Sequence, residues 1–431
     1  MKKLALLLAL VMLATCALAG CGAPPAATPA PPASGGTTPP PGGATPSDVD
    51  LGVDEIVVML PIHVTGSMAG VGAMHTEGAK MAVEDYNAQG GIHGVPVRLA
   101  IRDDEGNPTK TLTYMQELYE QGNGLFAVGP GMSAAGLACL DYMTENKIIN
   151  VFLTSTGPVI DEEAWPYAFR IFYGSDIMAR GMVEFAIANS STKVAVVYDN
   201  STTGQDGIAS TDFWFEELNV DTSNVVYIPF NMDEVDMSPV AQQIKDSGAD
   251  VGLFFAMGAD GARIVQALER IDYGEGKIKV FGSSGMGMPN FVDLAGDAAR
   301  LVYRLQPKKV TMDPATMDFD DEIVSAFHAR VNETYGEYGE GRQADFNGLT
   351  ASYVGTLTVL RAIEMTGSVD SDVLKAYLES GKLNEDMPEL KLWLPECRWT
   401  AENHEAMVSE DMVPISMAPE KMNRDICVRD E

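Results

Sequence analysis

The chain has 431 residues, 46% of them hydrophobic, and its 61 acidic and 29 basic residues give a formal net charge of −32. A surface this acidic repels phosphate backbones, so the composition excludes nucleic acid as a partner. The length is too great for one small core and predicts two lobes.

The N-terminus predicts export from the cytoplasm. Two lysines precede an almost unbroken apolar run over residues 4–13, which is too short to span a membrane. The run leads to Leu18-Ala-Gly-Cys21, which resembles the lipobox of bacterial lipoproteins, where the cysteine is lipidated and becomes the first mature residue. We interpret residues 1–20 as a lipoprotein signal peptide and Cys21 as the site of lipid attachment. The alternative is an ordinary cleaved signal that happens to contain a cysteine.

Residues 21–53 are predicted to be a tether. Residues 22–49 contain nine of the 24 prolines, mixed with Gly, Ala, Ser and Thr, and no aromatic side chain. Such a segment cannot bury enough apolar area to offset the entropy lost on ordering. We expect an extended link between the lipid and a folded body that begins near residue 54.

The cysteines and histidines do not predict a metal centre. No CxxC motif occurs and the five histidines show no metal-ligand spacing, so neither a metal nor a cofactor is expected. Cys397 and Cys427 both lie in the tail and are the preferred candidates for a disulfide, although this pairing stays open. Cys139 lies in an apolar helical pattern and is predicted to be a buried free thiol.

From residue 55 onward, short apolar runs alternate with helical periodicity. This alternation predicts an α/β fold with parallel, doubly wound sheets. The predicted strands cover residues 55–61, 97–101, 124–128, 148–153, 193–198, 225–230, 251–255 and 279–282. The predicted helices cover residues 78–87, 109–120, 134–144, 177–188, 207–218, 239–245 and 262–271.

Polar turns follow many of these strands. Each turn alone is explained by helix capping, because capping residues are common where a strand leads into a helix. Together, at the carboxyl ends of the strands, the turns predict a cleft with polar walls. They cover residues 65–67, 129–133 and 154–156 in the first half, and 199–204, 257–260 and 283–288 in the second.

No motif predicts catalysis. GxSxG, HExxH and GxxxxGK[ST] are absent, and Gly129-x-Gly131 followed by Gly136 has the wrong spacing for a dinucleotide loop. No catalytic residue is therefore proposed, and the chain is not expected to be an enzyme.

The stretch from Gly78 to Gly94, GAKMAVEDYNAQGGIHG, resembles the first helix and turn of type I periplasmic solute-binding proteins. It is most similar to the branched-chain amino acid/amide branch, which includes the leucine/isoleucine/valine-binding protein. The likeness extends over roughly residues 55–400, with shorter matching stretches at residues 60–66, 102–108, 128–130, 167–170 and 236–238.

This resemblance implies two doubly wound lobes joined by three crossovers, with a solute held between the lobes. The implied crossovers lie near residues 169–176, 301–307 and 389–398. The implied first lobe covers residues 54–174 plus 308–390, and the second covers residues 175–307 plus 391–431.

The resemblance also implies ligand-binding residues. In the first lobe, Ser133, Thr154 and Thr156 fall where the family binds the carboxylate and amino group of its solute, and Val71 falls on an aromatic position. Ser67 and Ser155 belong to the same turns. In the second lobe, Thr203 and Met257 fall on tyrosine positions and Ser284 falls where amino acid binders place an acid. Met286 lies nearby in a methionine cluster that is otherwise explained as core.

The serine at position 284 affects the predicted solute. A buried ammonium left without its carboxylate loses roughly 3–5 kcal/mol. Either Asp260 or Asp206 replaces the missing acid, or the solute is not a free α-amino acid. The hypothesis is a small carboxylate- or amide-bearing solute with an apolar part: an amino acid-like compound, an aromatic or branched acid, or an amide.

The implied role is the receptor of an ABC importer, located on the extracytoplasmic face of a bacterial membrane. Its predicted partners are the solute, the permease transmembrane subunits and the bilayer that holds the acylated N-terminus, and the receptor is expected to be a monomer. The alternatives are a ligand-sensing module for a sensor kinase or chemoreceptor and, third, an extracytoplasmic hydrolase.

Overall fold

Two β-sheets with the same strand order form the framework of the protein. In this computed structural model the described residues are 49–66, 69–122, 124, 126–232, 234–287, 290–308, 321–335 and 346–417. The first sheet has the order β2-β1-β3-β4-β5, with all pairs parallel. Its strands are β1 Ile56–Ile62, β2 Val97–Asp103, β3 Phe126–Val128, β4 Ile149–Phe152 and β5 Ala168–Arg170.

The second sheet repeats this order and adds one strand. Its strands are β6 Val194–Asp199, β7 Val225–Phe230, β8 Val251–Phe255, β9 Lys279–Gly282, β10 Val302–Pro307 and β11 Met412–Ser416. The order is β7-β6-β8-β9-β10-β11. Among the described strands β11 alone pairs antiparallel, along β10, and it adds an antiparallel edge to a sheet that is otherwise parallel as predicted.

Twelve α-helices connect the strands within the described residues, and short 3₁₀ helices lie between some of them. The α-helices are α1 Ala69–Ala88, α2 Pro108–Glu120, α3 Ser133–Glu145, α4 Ser175–Asn189, α5 Thr202–Glu217, α6 Ser238–Ser247, α7 Gly258–Arg270, α8 Asn290–Ala295, α9 Glu322–Tyr335, α10 Phe346–Thr366, α11 Ser371–Leu378 and α12 Leu383–Asp386.

Burial explains why the central strands are apolar throughout. Every residue of β1 and of β8 is buried, which is typical of parallel strands covered by helices on both faces. The predicted α/β architecture with two parallel-dominated sheets is confirmed. Most predicted element bounds differ from the observed ones by no more than a few residues.

Helix α1 differs most from its prediction, because it begins at Ala69 rather than at residue 78. Gly70 and Gly72 lower the helix propensity of this first part. Gly72 nevertheless suits the packing, since a Cβ there would overlap the backbone carbonyl of His63.

The segment after α12 packs on the first sheet. Trp393 Nε1 donates to the carbonyl of Ile171 at 2.8 Å, and Trp399 Nε1 donates to that of Arg170 at 3.2 Å. Glu405 forms an isolated parallel bridge and an ion pair with Arg170. The lobe boundaries stay a prediction, and these contacts favour a last crossover after residue 405 rather than at 391.

Several N- and C-terminal predictions lie outside the described residues, including the signal peptide, Cys21, most of the tether and Cys427. Cys139 and Cys397 are buried and form no disulfide with a described residue, and burial raises the pKa of each as a thiol to about 12. A disulfide between Cys397 and Cys427 stays a prediction. None of the described helices has the length and apolar character needed to cross a membrane.

Candidate binding site

A cavity lies between the carboxyl ends of the two sheets. It is lined by turns that follow β3 and β4 in the first sheet and β6, β8 and β9 in the second. The strand order of each sheet reverses next to these turns, which is where open α/β sheets bind ligands. The empty space is about 1130 Å³, counting the open solvent at its mouth.

We divide the lining into two walls. The first-sheet wall consists of Val71, Met74, His75, residues 131–134, residues 153–155, Asn347 and Gly348. The second-sheet wall consists of Asp199, residues 201–204, residues 255–257, residues 283–285 and Gly287. Phe172, Tyr173 and Met232 also line the cavity.

Most of the predicted ligand-binding residues lie on these walls: Val71, Ser133, Thr154, Ser155, Thr203, Met257 and Ser284. Thr156 and Met286 do not, because both are fully buried behind the walls. Met286 fills space beside Gly261 and Gly282, which have no side chain of their own. Ser67 lies outside the described residues. That these residues bind a ligand stays a prediction.

The start of helix α3 forms one polar corner of the first-sheet wall. Ser133 is its first residue, and the preceding Met132 supplies no side-chain cap for the free backbone N–H groups. Such N–H groups, with the positive end of the helix dipole, favour an anion or a carbonyl oxygen. Asn150 Nδ2 donates to the carbonyl of Gly129 at 2.6 Å and holds the turn that leads to this corner.

Thr154 forms a second polar corner. Its side chain is 3% exposed, and its Oγ1 has no hydrogen-bond partner among the described residues. A buried hydroxyl left in this way costs about 1–3 kcal/mol.

Helices α1 and α10 complete the first-sheet wall and approach each other backbone to backbone. A Cβ on Gly78 of α1 would overlap the carbonyl oxygen of Leu349 in α10. Ser352 Oγ of α10 donates to the carbonyl of His75 in α1 at 2.6 Å. His75 of α1 and Asn347 of α10 both line the cavity.

The second-sheet wall is different, because its polar groups bond to one another. Asp199 Oδ1 accepts the backbone N–H of Ser201 at 2.9 Å, and Ser201 Oγ accepts that of Gly204 at 3.1 Å. Ser283 Oγ donates to the carbonyl of Ala256 at 3.3 Å. Burial raises the pKa of Asp199, and the hydrogen bonds from Ser201 oppose that rise.

The acidic residue that lines the cavity is Asp199, and not Asp260 or Asp206. Asp260 forms an ion pair with Arg263, and Asp206 accepts the backbone N–H of Gly157 at 3.0 Å; neither lines the cavity. Asp199 is the acidic side chain that does, within the described part of the chain, and no lysine or arginine there lines it.

Arg304 lies behind the second-sheet wall. It is 1% exposed, and a Cβ on Gly287 would lie 2.5 Å from its Nη1. Burial raises the pKa of Tyr173, and Arg304 and the Ser284 hydroxyl act against this rise. Arg304 is therefore a buried cation beside Gly287 and Tyr173, which both line the cavity.

The two walls touch at the side of the cavity. Ser133 Oγ lies 3.2 Å from Thr203 Oγ1, and the Gly157–Asp206 hydrogen bond joins the same two halves. A solute between the walls is therefore flanked by both sheets.

Sequence reasoning did not identify His75, Asn347 or Asp199 as individual binding residues. Asp199 begins a predicted polar turn, so its position carried a signal. His75 and Asn347 come from helices separated by about 270 residues of sequence, and no local pattern places them together. No group of three or more His, Cys, Asp or Glu side chains among the described residues could hold a metal ion.

Comparison with known proteins supports this description. A family described as periplasmic binding protein matches residues 56–412. The chain is 28% identical over 267 residues to the Leu/Ile/Val-binding protein homolog 3 of Brucella melitensis, covering 61% of this chain and 70% of that protein.

Solved structures show the same fold. A type 1 periplasmic binding protein from Bordetella pertussis has a TM-score of 0.72 at 17% identity, covering 84% of this chain and 96% of the other. A solute-binding protein of an ABC transporter from Rhodopseudomonas palustris, solved with 3,4-dihydroxy benzoic acid, has a TM-score of 0.62 at 21% identity, covering 76% and 85%.

Proposed function

The chain belongs to the periplasmic binding protein family, and on that premise we propose that it is the solute receptor of an ABC importer. The family consists of extracytoplasmic receptors that bind small molecules such as branched-chain amino acids. The observation that carries the proposal is the cavity between the two sheets, whose first-sheet wall includes buried polar atoms that have no hydrogen-bond partner among the described residues.

We propose that the solute is a small carboxylate- or amide-bearing molecule with an apolar part. We place its carboxylate or carbonyl at Ser133 and Thr154, because both line the cavity and Ser133 begins α3. Apolar contact comes from Leu153, Phe172 and Phe255. Names of similar proteins support both amino-acid and aromatic-acid solutes, since one is named a Leu/Ile/Val-binding protein homolog and another is solved with 3,4-dihydroxy benzoic acid.

An ammonium group would have one acidic neighbour in the cavity lining, Asp199. Asp199 already accepts two hydrogen bonds from Ser201, and Arg304 lies behind the opposite part of the same wall. We therefore propose that acids or amides without an α-amino group bind at least as well as the amino acids.

The proposed mechanism is closure of two lobes around the solute. Solute contacts both walls only when they are close together, so binding shifts the protein toward the closed form. The permease would recognise that form. No step of bond making or breaking is proposed, and no catalytic residue is assigned.

The proposed location is the outer face of the membrane, held by lipid on Cys21 and by the proline-rich tether. The support is the Leu18-Ala-Gly-Cys21 sequence and the composition of residues 22–49. The receptor is proposed to act as a monomer with a permease as its protein partner.

Isothermal titration tests this function. The purified protein is titrated with leucine, valine, the corresponding acids that lack the amino group, benzoates and amides, with small-angle scattering to follow closure. We expect binding of at least one acid or amide with a smaller radius of gyration. Tight leucine or valine binding with no binding of the acids would refute the proposed solute class, and no binding by any compound, with none co-purified, would refute the receptor function.

A further inference from the structure

Helix α5 belongs to the half of the protein built on the second sheet, and one of its faces touches the half built on the first sheet. Thr203 Oγ1 lies 3.2 Å from Ser133 Oγ, and Asp206 Oδ2 accepts the backbone N–H of Gly157 at 3.0 Å. Thr203 and Asp206 are three positions apart in the helix, so they lie on the same face. Thr203 and Ser133 line the cavity, but Asp206 and Gly157 do not. The Gly157–Asp206 hydrogen bond thus joins the two halves outside the candidate solute site.

Close packing of α5 on its own sheet fixes the position of Asp206. A Cβ on Gly204 would lie 2.2 Å from the carbonyl oxygen of Asp199, at the end of β6. A Cβ on Gly207 would lie 2.3 Å from the ring of Phe255, at the end of β8. Because neither position has room for a side chain, this face of α5 lies against the second sheet. Asp206, between the two glycines in sequence, therefore extends from a firmly packed helix.

The peptide unit between Thr156 and Gly157 is held from both halves. Its carbonyl oxygen, on Thr156, accepts Nη1 of Arg170 at 2.5 Å, and its N–H, on Gly157, donates to Asp206. Arg170 is 1% exposed and forms an ion pair with Glu405. Because a peptide unit is planar, fixing the carbonyl oxygen also restricts the direction of the N–H. The first-sheet half thus presents a fixed donor to the carboxylate of Asp206.

We propose that Asp206 is a positioning residue, which stabilises the closed arrangement of the two halves and so raises the affinity for every solute without contacting it. The inference rests on the proposed function, because it takes solute binding to be coupled to closure. A hydrogen bond with a charged acceptor contributes more than one between neutral groups. Since donor and acceptor lie on different halves, this contribution belongs to the closed form, and it increases the fraction of protein that is competent to bind.

Isothermal titration of Asp206 variants tests the inference, using those of leucine, 4-methylpentanoate and benzoate that bind the wild type. Asp206→Ala removes the acceptor, and we expect about tenfold weaker binding of each compound. Asp206→Asn loses the charge but keeps an oxygen that can accept the N–H, so it should restore part of the affinity. Glu216→Ala removes an exposed acid from the same helix and is the matched control, which should bind like the wild type.

Two further readouts separate closure from a general effect on folding. Small-angle scattering without solute should give a larger radius of gyration for Asp206→Ala than for the wild type, because the open form gains population. Stopped-flow binding should show the lost affinity mainly as faster dissociation of the solute. Thermal unfolding of each variant checks that it folds.

The outcomes separate the inference from the function. Unchanged affinity of Asp206→Ala for every binding compound overturns the inference and leaves the receptor function standing. A changed order of preference among the compounds also overturns it, because Asp206 would then contact the solute. If no compound binds the wild type, the receptor function fails, and scattering without solute decides whether Asp206 stabilises closure. Identical curves for the wild type and Asp206→Ala then overturn the inference, and a larger radius of gyration for the variant supports it.

Discussion

The two walls of the cavity differ in what their polar atoms contact. On the second-sheet wall, Asp199, Ser201 and Ser283 hydrogen-bond within their own turns. On the first-sheet wall, Thr154, His75 and Asn347 each keep an atom without a partner among the described residues. This difference is why we propose that the first-sheet wall binds the polar groups of the solute, while the second-sheet wall, where Asp199, Ser201 and Ser283 are already hydrogen-bonded, covers it.

The walls also differ in how they are built. The first-sheet wall includes two helices packed backbone to backbone, whereas the second-sheet wall comes from turns at the ends of strands. A rigid wall with unpaired atoms loses little entropy when a ligand binds, because its geometry exists beforehand. The predictions below test this contrast.

The largest expected effect comes from separating α1 and α10. In Gly78→Ala the new methyl group overlaps the carbonyl oxygen of Leu349, so the helices must move apart. We expect a loss of about 3 kcal/mol in the free energy of unfolding, measured by urea denaturation. Gly70→Ala, on the same helix with open space around it, is the control and should be neutral or slightly stabilising. Equal effects of the two substitutions would contradict the close packing.

The second largest effect is expected from acid, which should lower the stability of the folded protein through His75 on the first-sheet wall. The pKa of His75 is about 3 in the folded protein, against 6.5 as its ordinary value, so below pH 6.5 the unfolded chain binds a proton that the folded chain does not. Stability is therefore lost as the pH falls from 6.5 toward 3, by about 2 kcal/mol at pH 5 for this group. His75→Phe should show a correspondingly flatter pH profile of urea denaturation. Burial lowers the pKa of His63 as well, so part of the slope remains.

Removing the unpaired hydroxyl should affect binding and stability in opposite ways. Thr154→Val keeps the shape of the side chain, and we expect affinity for the solute to fall about tenfold by titration. Stability without solute should stay equal or rise, because a buried unpaired hydroxyl is lost. Thr113→Val, exposed on α2, is the control and should change neither the affinity for the solute nor the closure of the lobes around it. Lower stability together with unchanged affinity would contradict the assigned role.

The smallest expected effect comes from the second-sheet wall. Because burial raises the pKa of Asp199, the folded protein holds this proton more tightly than the unfolded chain, and the group gains stability as the pH falls through its folded pKa toward 3.8. Asp199→Asn should remove this gain, and its free energy of unfolding at pH 7 should equal or exceed that of the wild type. Since the sign is opposite to that of His75, comparing the two pH profiles shows which wall dominates.

The sequence predicts the central strands well because parallel strands buried on both faces are continuous apolar runs, as in β8. It does not predict β5, which has three residues and ends in Arg170, whose partner Glu405 is 235 residues away. The sequence also does not predict β11, which contains Pro414. Its neighbour β10 occupies the segment that the resemblance assigns to a crossover.

The candidate site likewise contains some residues that the sequence predicts and others that it does not. Turn residues such as Ser133 and Thr203 are predictable, because carboxyl ends of parallel strands share one edge. His75 and Asn347 are not, because their positions depend on tertiary packing between two helices. Thr156 and Met286 are predicted to bind the solute, but they are buried and do not line the cavity. A correctly predicted turn does not reveal which of its side chains face the cavity.

The bond between Arg170 and Glu405 has a consequence for synthesis on the ribosome. The first sheet starts at residue 56, yet it relies on α10 and on the stretch from Trp393 to Glu405 for its packing. A nascent chain cannot complete this half until nearly all of it has been translated.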